Sequence, residues 1–157
     1  MTRRVCMTIV VFHWVEHLTQ AYQVWVLGWP RPHAMGFVGL LIPWLMHSEW
    51  LHYGFAVAMY LGMWALIDQD GITGRASGWW RLACWLQTWH LFEHSLLLVQ
   101  AQLGVAVPVS IIQLWWPRIE LHLFYNTVVT VPMLWALWIE HHTRHTERSE
   151  FQWQPNG

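Results

Sequence analysis

Two stretches of the chain carry the same signature, His13-x-x-Glu16-His17 and His90-x-x-Glu93-His94. At 100° per residue, helix positions i, i+3 and i+4 fall within an arc of about 100°, so each stretch presents two imidazoles and a carboxylate on one face. Imidazole and carboxylate together suit zinc, iron or copper, and a histidine pair at i, i+4 gives one metal two ligands from a single helix. Two such helices facing one another would offer His13, His17, His90 and His94 with Glu16 and Glu93 alongside, enough for a dinuclear site. In that reading Glu16 and Glu93 are the catalytic groups, bridging the metals or moving protons.

Further donors lie elsewhere. Glu49 and His52 share a face with Tyr53 beside them, and His122 shares one with Tyr125 and Asn126. The expected metal shell is therefore His13, Glu16, His17, Glu49, His52, His90, Glu93, His94 and His122. His47 points about 140° away from His52 and is expected behind the shell. Glu120 points away from His122 and is expected to pair with Arg118.

The elements that must position these residues read as membrane-spanning helices. About 20 apolar residues cross a bilayer, and four stretches qualify, near 5–28, 44–67, 80–103 and 118–140. The prolines of Trp29-Pro30-Arg31-Pro32 close the first. Pro43 splits a short interfacial piece from the second. Asp68, Asp70, Gly71, Gly74 and Gly78 mark a polar turn before the third, and residues 109–116 suit a short interfacial helix before the fourth. The fold class expected is thus all-α, an integral membrane four-helix bundle in a single domain. Arg4, Cys6 and His13 find counterparts in Arg81, Cys84 and His90, which suggests a duplicated two-helix unit. Such repeats are a known way to build a midplane site. Gly54, Ala58 and Gly62 form a small-residue stripe that suits close helix packing.

Composition bounds the possibilities. Of 157 residues, 55% are hydrophobic and 11% charged, against about 25% charged in soluble domains. A net charge of −1 argues against a nucleic-acid partner. The two cysteines have no CxxC spacing and read as small packing residues. Six of the eight arginines, Arg3, Arg4, Arg75, Arg81, Arg144 and Arg148, belong to the termini and the middle loop. That bias places both termini in the cytoplasm of a bacterial-type inner membrane. Trp25, Trp29, Trp44, Trp115 and Trp116 would form one interfacial belt, and Trp64, Trp79, Trp80, Trp135 and Trp138 the other. His141, His142 and His145 read as a solvated helix end.

Four glutamates and seven histidines inside spans are costly. An ionised acid at a helix centre costs about 2.5–3.5 kcal/mol on insertion scales, so these groups must be paired, protonated or bound to cations. The ligand count resembles the Glu-plus-His shells of carboxylate-bridged di-iron bundles, although those use Glu-x-x-His. The sequence therefore points to a membrane metalloprotein with iron or copper in preference to zinc, acting in oxygen-dependent or redox chemistry on a lipophilic substrate. The other classes it leaves open are a haem- or pigment-binding subunit of a larger membrane complex, an intramembrane zinc protease using the inverted His-x-x-Glu-His motif, and a metal or proton transporter. Its partners are the lipid bilayer and, for a subunit, other membrane chains or further copies of itself.

Overall fold

A computed structural model describes residues 3–69 and 74–152, with side chains described over 3–67 and 74–143. Among the described residues the chain is all helical. Its helices are α1 (Arg3–Trp25), α2 (Gly36–Leu41), α3 (Pro43–His47), α4 (Trp50–Gln69), α5 (Gly74–Gln102) and α6 (Arg118–Gln152). The long helices α4 and α6 each pack along both α1 and α5, so α1 and α5 stand at opposite corners. Two of the helices, α4 over Trp50–Ile67 and α6 over Arg118–Thr143, are long and apolar enough to cross a membrane.

The other two long helices carry their polar residues on the inside. On α1 the buried positions include His13, Glu16, His17, Gln20 and Gln23, and on α5 they include Gln87, His90, Glu93 and His94. The outward faces are apolar, with Val11, Phe12, Val15 and Leu18 exposed on α1 and Leu82, Trp85, Phe92 and Val99 on α5. An apolar core lies toward the chain termini, where Cys6, Val10, Met59, Met63, Trp80, Cys84, Val129 and Met133 pack together. Both cysteines are free and buried there, as their isolated spacing suggests.

Several boundaries differ from the sequence expectation. The second apolar stretch breaks at Ile42, where Pro43 begins α3 as expected, but it breaks again at Glu49, which adopts φ +63°. Residues 109–116 hold a three-residue 3-10 turn, Ile112–Leu114, in place of an interfacial helix. Helix α5 starts at Gly74, so Gly74 and Gly78 are helical, while residues 70–73 lie outside the described residues. Helix α6 continues past the expected end to Gln152. His145, Arg144 and Arg148 fall beyond the described side chains. Trp80 leaves its expected belt: it is 1% exposed and donates its indole N–H to the Met63 carbonyl. Gly54 is exposed with open space around it, so the small-residue stripe is no packing face at that point.

Matching bonds close the two ends where the loops fold back. Gln23 donates to the Gly36 carbonyl and accepts from the Gly36 amide. Gln100 makes the same pair of bonds with Val109. Helix α5 ends in a left-handed Gly104, with Val105 N–H reaching the Gln100 carbonyl and Gly104 N–H the Ala101 carbonyl, a closure that a glycine permits.

Gly36 is held in two ways, by its φ of +72° and by the Glu16 side chain, which a Cβ at position 36 would overlap. Gly28 has a similar φ of +70° but nothing near it. Gly28→Ala should therefore cost only the left-handed penalty of about 1–2 kcal/mol. Gly36→Ala should cost at least twice that, read as the larger drop in melting temperature of the two purified variants; equal drops would contradict the close approach.

Candidate metal centre

Six imidazoles meet inside the bundle. His13 and His17 come from α1, His52 from α4, His90 and His94 from α5 and His122 from α6, and none is more than 4% exposed. Ring centroids lie 4.6 Å apart for His13–His17 and for His90–His94, 4.9 Å for His17–His122 and His94–His122, and 5.0 Å for His17–His52. His13 faces His90 across the bundle at 6.0 Å, and His52 faces His94 at 5.8 Å. Each motif pair thus gains a third histidine from the next long helix, α4 or α6, which gives the sets His13, His17, His52 and His90, His94, His122.

The second set is the tighter. One ring nitrogen from each of His90, His94 and His122 lies within 4.8 Å of the others, and the Nε2 atoms of His90 and His94 are 3.0 Å apart. Two nitrogens on one tetrahedral metal at 2.0–2.1 Å would be about 3.3 Å apart, so the spacing fits shared coordination with little movement.

Ring orientation also favours ligation. His122 Nδ1 lies 2.6 Å from the Arg118 carbonyl, and a carbonyl only accepts, so the Nδ1–H is fixed and the Nε2 lone pair is left inward. His17 Nδ1 donates in the same way to Gln20 Oε1 at 2.9 Å. His17 Nε2, both nitrogens of His52, and Nδ1 of His90 and His94 have no hydrogen-bond partner in the protein. Asn126 is buried in the same interior.

The structure sends the two motif carboxylates to the loops. Glu16 accepts from the amides of Phe37, Val38 and Gly39 at 2.9–3.3 Å. Glu93 accepts from the Ile112 amide at 2.9 Å, the Ser110 hydroxyl at 3.2 Å and the Tyr125 hydroxyl at 2.7 Å. The physical reason is that the start of a helical turn leaves several N–H donors without partners, and a carboxylate is the strongest available acceptor. Tyr125 in turn stacks on His90 at 4.7 Å, and Phe55 takes the matching place beside His13 at 5.3 Å.

Glu49 is likewise engaged elsewhere, in a short ion pair with Arg118. The expected Arg118–Glu120 pair does not form, because Glu120 bonds Arg31 at 2.6 Å and accepts from Trp25. Glu120 holds the Arg31 guanidinium protonated, above its already high value. His47 is exposed and lines the same cavity as His17, His52 and His122. Gln20, Gln23, Gln100 and Ser110 are functional partners that the motif reading passed over. The signal for two of them was available, since Gln23 and Gln100 each follow the first motif histidine by ten residues.

Comparison of the chain with known families, with curated proteins and with solved structures found no match.

The two ion pairs differ in burial, and so should their loss. The Glu49 side chain is 5% exposed, and removing one partner of a buried pair leaves an uncompensated charge at a cost of about 3–5 kcal/mol. Arg118→Gln should lower the melting temperature sharply and Arg31→Gln, at an exposed pair, hardly at all. Equal effects would contradict this assignment.

Proposed function

We propose that this chain is an integral membrane metalloprotein holding two redox-active metal ions, copper in preference to iron, between two sets of three histidines. It uses them in oxygen-dependent or redox chemistry on a lipophilic substrate. The observation that carries this reading is the packing of six buried imidazoles, on five of which seven ring nitrogens have no protein partner. Leaving a buried polar group unsatisfied costs about 1–3 kcal/mol, and metal coordination satisfies several at once.

The choice of copper follows from what surrounds the rings. Imidazole suits copper, iron and zinc alike, but carboxylate-bridged iron sites need their glutamates as ligands. Here Glu16, Glu49 and Glu93 are engaged by loop amides, hydroxyls and Arg118, which leaves an all-imidazole set. Glu16 and Glu93 still stand next to ligating histidines in the chain and offset the metal charge without binding it. Their main work is to hold the loops over the site.

Membrane insertion rests on the inside-out pattern of α1 and α5. Polar residues face the bundle interior and large apolar residues face outward, the arrangement required when the surroundings are lipid. The same polar residues explain why hydropathy alone singles out only α4 and α6. We infer four spans with both termini on the cytoplasmic side, from the arginine bias. The matched Gln23 and Gln100 bonds support a duplicated two-helix unit.

Metal analysis of protein purified from metal-replete cells tests the reading. Two copper or iron equivalents per chain are expected in the wild type, with loss of at least one in His94→Ala and in His122→Ala. Glu16→Gln and Glu93→Gln should keep the metal while losing about 1–3 kcal/mol of stability each. A Soret band would favour haem, one zinc per chain a hydrolytic site, and no metal at all would overturn the proposal.

A further inference from the structure

Beside the imidazoles the bundle opens into a cavity of about 410 Å³. His17, His52 and His122 form part of its lining, together with Met46 of α3 and the loop residues Ala34 and Ala106. An apolar cavity of about 150 Å³ holds benzene, so this one has room for roughly 10–15 heavy atoms, within the usual size of small-molecule sites.

The wall selects against ions. Its two arginines are already matched, Arg118 with Glu49 and Arg31 with Glu120. Gln20 is engaged with His17 and Met46, and Gln113 accepts from the Ser110 amide. An anionic guest would find both guanidiniums already matched, with only the exposed His47 imidazole left to meet it, and would lose its hydration. The histidine end is different, because His17 Nε2 and both nitrogens of His52 are buried without protein partners.

From this geometry we propose that the cavity binds a neutral molecule of roughly 10–15 heavy atoms, apolar along its body and ending in one nitrogen or oxygen donor directed at the histidines. The apolar body is selected by the wall alone. The donor end rests on the metal reading, in which a bound metal ion, and not the N–H of a neutral His52, receives the guest's lone pair.

Calorimetric titration of the full chain in detergent micelles, against empty micelles as blank, tests both parts. The probes are imidazole, 4-phenylimidazole and its para-carboxylate analogue, each added to metal-loaded and to chelator-treated protein. Expected is at least tenfold tighter binding of 4-phenylimidazole than of either other probe to the loaded protein. Ala34→Phe and Ala106→Trp, which fill the cavity from two separate loops, should each lose that advantage with metal content unchanged; whichever variant keeps a cooperative melt decides the matter. No preference for the phenyl probe, or variants that bind as the wild type does, would overturn the cavity site. A preference that persists equally after chelation would uphold the apolar selection and contradict the metal-directed donor end.

Discussion

Ring nitrogens buried without partners are the constraint on which the rest of this molecule turns. An imidazole in contact with water costs the fold little, but six of them packed at 4.6–6.0 Å must find acceptors, donors or a metal within the bundle. The surrounding bonds are arranged so that some of the ring nitrogens are fixed outward: His122 donates to a backbone carbonyl and His17 to a glutamine. Each of these fixes one tautomer, and in His17 the opposite nitrogen is left without a protein partner, which is how outer partners orient metal ligands.

The loops are built to the same end. Glu16 gathers the amides of residues 37–39, and Glu93 gathers Ser110, Ile112 and Tyr125. Each carboxylate comes from the same helix face as its motif histidines, so loop closure and imidazole placement are coupled through one helix. The ion pairs then cross between the halves, Glu49 to Arg118 and Arg31 to Glu120. Glu49 adopts a left-handed backbone to do so, a strain of about 1–2 kcal/mol that the buried pair offsets. The two halves are not identical. Tyr125 beside His90 reaches Glu93, while Phe55 beside His13 has no hydroxyl to offer.

Much of this was legible in the sequence. Helical periodicity alone put two histidines and a glutamate on one face of α1 and of α5, and the breaks at Pro30 and Pro43 mark real ends or junctions. The destination of the carboxylates was not legible, because it depends on which loop amides fold back to within 3 Å, a matter of tertiary geometry. The partner of Arg118 was missed for the same reason: Glu120 is near in sequence, but the left-handed turn at residue 49 delivers a buried carboxylate instead. Trp80 shows the limit of compositional rules, since a tryptophan at a span end is usually interfacial, yet this one finds a carbonyl acceptor in the core.

X-ray absorption at the edge of the bound metal tests the central claim most directly. The account predicts a first shell of nitrogen at about 2.0 Å, with the outer-shell scattering of several imidazole rings and no sulfur. A shell dominated by oxygen, or one without imidazole scattering, would contradict the assignment of the six histidines as ligands.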